Sequence, residues 1–134
     1  MNVQLTYNEI MNYVKSQFHV EPIMEAVDSK TLRITYKMNM FVPAVSVDLH
    51  VDSISNGTVV LSYKCLDIVN GLLGSVIGLV EQKIPRHKIE ILTDTRQIKI
   101  HLNAFEELDR VLSIVEPAGI TFNNDAVVLD MILT

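Results

Sequence analysis

AVSVDLHVDSISNGTVVLSYK, residues 44–64, decides the fold class. Val45, Val47, Leu49 and Val51 alternate with Ser46, Asp48, His50 and Asp52, the period-two pattern of a strand with one face buried and the other in water. Asn56-Gly57 interrupts the alternation, and this pair is the strongest short hairpin signal because both turn positions need positive φ. Strand 44–54 therefore turns back into strand 58–64.

The flanking sequence repeats the motif. Upstream, Pro22 opens a short apolar run, Ile23 to Val27, and Asp28-Ser29-Lys30 supplies turn chemistry. In TLRITYKM that follows, Leu32, Ile34, Tyr36 and Met38 share one phase, which predicts a first hairpin. The parity reverses across Phe41-Val42-Pro43, predicting a bulge or loop there, since a one-residue slip would otherwise send every side chain to the opposite face. Downstream, KIEILTDTRQIKIHL forms a hairpin around Asp94-Thr95-Arg96 with Ile89, Ile91, Ile98, Ile100 and Leu102 inward. GITFNNDAVVLDMIL forms another, turning at Asn123-Asn124-Asp125.

Three segments read as helices. Thr6 and Glu9 have capping-box spacing, and Ile10, Met11, Val14 and Phe18 recur at helical intervals, predicting an amphipathic helix over 6–18. LDIVNGLLGSVIGLV, residues 66–80, carries no charge between Asp67 and Glu81. As a helix it is apolar over most of its circumference, which demands burial on several sides. It ends before Pro85, and it is short of the roughly 20 apolar residues that cross a bilayer. Asn103 is placed to cap a third helix with Phe105, Leu108, Leu112 and Val115 on one side, ended by Pro117 and Gly119.

Short turns between successive strands make the expected fold α+β and a single domain, 1–134. Its expected form is a mainly antiparallel sheet of about eight strands with two amphipathic helices and the apolar 66–82 helix, which is enclosed by the sheet, set against a partner or placed beside an apolar ligand. The expected core comprises Ile34, Val47, Leu49, Leu61, Leu73, Ile77, Ile91, Ile100, Leu112 and Leu129.

Composition narrows the function. The 134 residues are 49% hydrophobic and 20% charged, with net charge −5, pI about 5.2 and mean hydropathy +0.27. The acidic balance and the scattered lysines and arginines argue against nucleic acid or an anionic bilayer as main partner. The one cysteine, Cys65, cannot form an internal disulfide and reads as a small buried hydrophobe. The N-terminal MNVQLTYNEI has no basic region followed by an apolar one, so no secretory signal is expected and the cytoplasm is the default location.

No reactive constellation emerges. Asp48, His50 and Asp52 share a strand face, but same-face neighbours on a strand stand about 6–7 Å apart, too far to converge easily on one metal ion. They read as a solvated face, and single alanine replacements are expected to change stability by less than about 0.5 kcal/mol. His19, His87 and His101 are singletons without a Cys or Ser neighbour to activate. Gly71, Gly74 and Gly78 match neither a P-loop nor a dinucleotide fingerprint. Their spacing suits close backbone approach along a helix or, alternatively, a segment built to bend beside a pocket.

The alternating sheet with an apolar helix leading into IPRHKIEIL and DTRQIKIHL, from about Thr31 to Leu102, resembles the tubular lipid-binding superfamily. The resemblance implies a curved sheet wrapped around a helix, an apolar groove, and binding of a lipid or other apolar molecule without covalent chemistry or cofactor. The expected ligand-binding residues are Met38, Met40 and Phe41 on an apolar loop, with Leu72, Leu73, Gly74, Ile77 and Gly78 on the helix. An interaction module using the same apolar surplus for a homodimer or another partner is the alternative.

Overall fold

The computed structural model describes residues 1–36, 44–65 and 70–133, with side chains throughout these except at 70–76 and 107. Its described elements, in chain order, are β1 (Asn2–Thr6), α1 (Tyr7–Phe18), β2 (Ile23–Asp28), β3 (Thr31–Tyr36), β4 (Val45–Ser55), β5 (Thr58–Cys65), α2 (Asn70–Lys83), β6 (Ile89–Leu92) and β7 (Gln97–His101). A single 3-10 turn (Leu102–Ala104), α3 (Glu106–Leu112), β8 (Val115–Phe122) and β9 (Ala126–Leu133) complete the order. The class is α+β. Nine described strands form two antiparallel sheets, where the sequence suggested one sheet of about eight: six strands in the order β2-β3-β4-β5-β7-β6, and three in the order β1-β9-β8.

The β4–β5 hairpin forms as the alternation dictates. Asn56 and Gly57 take φ of 52° and 77°, and Ser55 pairs with Thr58 across them, as a two-residue primed turn requires. The positive φ favours glycine at 57, and a Cβ there would lie 2.5 Å from Asn103 Nδ2, so the Asn103 side chain would also have to shift. Farther along β4 the register shifts between Val51 and Ser53, leaving Asp52 as the extra residue of a bulge. Beyond it the inward phase passes to Ile54, opposite Val59.

α1 starts where the capping box places it. The Glu9 N–H donates to Thr6 Oγ1 at 3.2 Å and the Thr6 N–H donates to Glu9 Oε1 at 3.3 Å. Upstream, NVQLT adds the unforeseen strand β1, which pairs with β9.

The third helix departs further from expectation. Phe105, and not Asn103, is its N-cap, with no side-chain cap bond. Asn103 lies in the 3-10 turn and its Nδ2 donates to Asn56 O at 3.4 Å, so it serves the β4–β5 turn. Val115, Pro117 and Gly119 belong to β8, and the register shift between Pro117 and Gly119 marks a bulge. A bulged edge tolerates proline because no ladder N–H is required of it.

The principal core cluster joins the two sheets. Leu32, Val51, Val59 and Leu61 from the larger sheet pack with Phe122 of β8 and Tyr7 of α1. The sheets are also tied by the Phe122 N–H, which donates to Ser29 O at 2.9 Å, and by Lys30 Nζ, which donates to Ile120 O at 3.0 Å. Of the expected core, Leu61 is buried. Ile34, Val47, Leu49, Ile77, Ile91, Ile100, Leu112 and Leu129 are half-buried, and the Leu73 side chain lies outside the described residues.

Tyr7 is the polar pin of this cluster. Its hydroxyl donates to Asn123 O at 2.7 Å, and burial, with the charge of Asp125, raises its pKa above the ordinary tyrosine value. A raised folded-state pKa stabilises the fold fully below the unfolded value near pH 10 and loses that contribution as pH rises through the folded value. Tyr7→Phe should therefore cost about 1 kcal/mol at neutral pH and leave a shallower loss of stability above pH 10, measured by urea denaturation across a pH series.

Candidate functional site

Alternation gives the six-stranded sheet two chemically distinct faces. On the outer face the polar residues satisfy one another across strands. Arg33 Nε and Nη2 donate to the two oxygens of Asp48 at 2.9 and 3.3 Å, and this bonding raises the guanidinium pKa above its ordinary value. Thr31 Oγ1 bonds His50 Nδ1 at 2.9 Å, and the Ser62 hydroxyl donates to Asp52. Each residue of the Asp48, His50, Asp52 trio is thus engaged by a different partner. Among the described residues no group of three or more His, Cys, Asp or Glu is placed to hold a metal ion.

The inner face is apolar, and its two ends are treated differently. At one end Tyr7 and Phe122 seal Leu32, Val51, Val59 and Leu61. At the other, Met24, Ile34, Tyr36, Leu49, Ile89, Ile91, Ile98 and Ile100 stay half-buried. These eight residues and Leu61 form the floor of a cavity of about 320 Å³. Val14 and Phe18 of α1 line it together with Val20 and Pro22 from the link to β2. Leu79 and Val80 of α2 line it with Ile84 just beyond the helix. Among the described residues only apolar atoms face the space.

Local sequence explains how each wall is held. His19 closes α1 in the left-handed conformation, with φ of 59°, and its N–H donates to Lys15 O. The chain then turns through Val20 and the buried Pro22 into edge strand β2. On the opposite side the N–H groups of Lys88 and Ile89 both donate to Pro85 O, at 3.0 and 3.2 Å, bringing the chain from α2 into β6. Ile89 and Ile91 face Ile100 and Ile98 across the β6–β7 ladder. Ile98 and Ile100 in turn face Leu61 and Val59. The floor is a continuous run of branched side chains.

Of the residues expected to bind ligand, Met38, Met40 and Phe41 lie outside the described residues, as does the parity change at Pro43. Leu72, Leu73 and Gly74 fall within α2, but their surroundings lie outside the description. Ile77 and Gly78 are half-buried on α2, whereas the cavity takes Leu79 and Val80 from that helix. A Cβ built on Gly78 meets nothing within 4 Å, so this glycine is not held by a close approach among the described residues. Gly78→Ala should then express the helix propensity difference alone, a gain of about 0.8–1 kcal/mol read from denaturant midpoints.

A second recess of about 330 Å³, beside the Asn56-Gly57 turn, has Glu116 as its one ionisable residue among those described. It assembles no acid–base pair. No helix among the described residues is long and apolar enough to cross a membrane. In comparisons with known proteins, the chain matches no family model, no curated protein and no solved structure.

Proposed function

We propose that this protein is a noncatalytic carrier or sensor of an apolar small molecule, such as a single-chain lipid, held between the six-stranded sheet and helices α1 and α2. In this reading the sheet curves around α2, as the resemblance to the tubular lipid-binding superfamily implies. The observation that carries the reading is the wholly apolar lining of the cavity of about 320 Å³, a volume within the range of small-molecule sites. Such a space offers water no hydrogen-bond partner and favours an apolar occupant.

The expected ligand follows from the lining. With no polar atom of the described residues facing the cavity, a buried head group would lose its hydration uncompensated, so only an alkyl or similar apolar body enters and any polar end stays at the mouth. α2 runs from Leu79 back through Gly78, Ile77, Gly74, Leu73 and Leu72, and a chain longer than the cavity would extend along these residues. Burying about ten methylenes at about 0.8 kcal/mol each gives about 8 kcal/mol before the costs of association. Affinity is therefore expected to be micromolar or weaker.

Two measurements test the proposal. Solvent extraction of natively purified protein followed by mass spectrometry should recover an apolar molecule in near-stoichiometric amount, or the emptied protein should bind one equivalent of a fluorescent fatty acid. Absence of both a co-purified molecule and saturable probe binding would rule it out.

A further inference from the structure

Sheet edges expose unpaired N–H and C=O groups, and proteins usually blunt them with proline, charge, bulges or short length. Among the described strands, three of the four sheet edges carry such devices. β2 contains Glu25 and Asp28 and a register shift between Ala26 and Asp28. β6 is four residues long and carries Glu90. β8 contains Pro117 and a bulge. β1, Asn-Val-Gln-Leu-Thr, has no charge, no proline and no register shift, and its first four residues are exposed.

The hydrogen bonds of β1 show which of its groups are open. Met1 exchanges bonds with Met131, at 2.8 and 3.5 Å, and the Tyr7 N–H donates to Asp125 O at 3.0 Å. Antiparallel ladders alternate, so Val3 and Leu5 also direct their backbone groups to β9 while Asn2, Gln4 and Thr6 direct theirs outward. The Thr6 N–H is already bound to Glu9. Asn2 and Gln4 present the open pairs. Side chains alternate the other way: Met1, Val3 and Leu5 lie on one face, exposed by 73%, 45% and 49%.

We propose that β1 is the contact through which two copies of this chain associate, their β1 strands pairing antiparallel about a two-fold axis at Val3. That register sets Asn2 opposite Gln4 of the second copy, and Gln4 opposite its Asn2, so the open groups make four backbone hydrogen bonds. Val3 meets Val3 and Met1 meets Leu5, apolar against apolar, with no like charges opposed. Thr6 keeps its cap, and α1 of each copy begins past the last pair. The edge is therefore self-complementary, as a two-fold interface must be. The two three-stranded sheets would merge into one of six. Its short length places the dimer among small, concentration-dependent interfaces. This inference is independent of the cavity and of any ligand.

Analytical ultracentrifugation of the full chain from micromolar to millimolar concentration should show reversible dimerisation. Gln4→Pro removes only an outward N–H, which an edge strand tolerates, and should weaken the dimer at least tenfold with an unchanged melting temperature. Should that variant melt early, Val3→Lys opposes two like charges at the axis on an already exposed position and carries the same expectation. Val3→Cys should form a disulfide dimer on mild oxidation, because facing residues at a non-hydrogen-bonded pair stand about 4.5 Å apart at Cα, within disulfide reach. Leu5→Cys places its two thiols about 13 Å apart along the strands and should not cross-link. A protein monomeric at every concentration, a dimer indifferent to both Gln4→Pro and Val3→Lys, or equal cross-linking of Val3→Cys and Leu5→Cys would overturn the proposal.

Discussion

Phe122→Ala should lower the stability of the protein by about 3–5 kcal/mol, the range for emptying a buried aromatic site. Phe122 is 9% exposed and is the buried residue that β8 contributes to the cluster of Leu32, Val51, Val59, Leu61 and Tyr7. Leu32, Val51, Val59 and Leu61 lie on β strands fixed by their ladders, so they cannot collapse far into the space it leaves. Domains of this kind have only about 5–15 kcal/mol in total, and the loss falls where the two sheets join. The urea midpoint should drop by about a fifth or more with little change in the slope of the transition. A loss below about 1 kcal/mol would mean that the junction does not depend on this ring.

Ile98→Trp should abolish apolar ligand binding while leaving the fold intact. Ile98 lies on the cavity floor between Leu61 and Ile91, and an indole there occupies space that the proposed ligand needs. In a filled core the same enlargement costs about 1–3 kcal/mol. In the open cavity it should cost less than about 1 kcal/mol by this comparison and reduce fatty-acid probe affinity at least tenfold, a difference of about 1.4 kcal/mol. The chain contains no other tryptophan, so the variant reports on its own surroundings. Blue-shifted emission is expected from the dry cavity, whereas strong destabilisation or unchanged probe affinity would refute this placement of ligand.

Local rules explain what was legible in the sequence. The β4–β5 hairpin combined strict alternation with Asn56-Gly57, and α1 announced itself through Thr6 and Glu9. β1 gave no comparable signal. Its five residues hold only Val3 and Leu5 on the apolar phase before the cap at Thr6, and the partner strand lies at the far end of the chain. The division into two sheets arises because the β8–β9 hairpin pairs with β1 and with no strand of the six-stranded sheet, a long-range choice that no local window contains. α3 misled for a different reason, because Leu108, Leu112 and Val115 keep helical spacing across the entry into β8, and Pro117 and Gly119 resemble helix stops as readily as an edge bulge.

The cavity was only partly legible. Alternation correctly identifies Ile34, Leu49, Ile91, Ile98 and Ile100 as inward-facing, but periodicity does not distinguish a filled interior from an unfilled one. That difference depends on how α1 and α2 approach the sheet. Helical periodicity alone puts Leu79 and Val80 in phase with Leu72, yet the helical part of the expected site, beside Met38, Met40 and Phe41, stopped at Gly78, ahead of this pair.

Pairing β1 with β9 joins residues as far as 130 positions apart in sequence, so it bears on the order of folding. The hairpins β2–β3, β4–β5, β6–β7 and β8–β9 close over short turns and can form early, whereas β1 must find a strand that follows every other described element. The entropy of closing a loop grows only logarithmically with its length, but contacts of this separation are slow to form because little is gained until the ends have met. During synthesis, β1 emerges before β9, with the other seven described strands between them. Throughout that interval the NVQLT segment is unpaired along both of its sides.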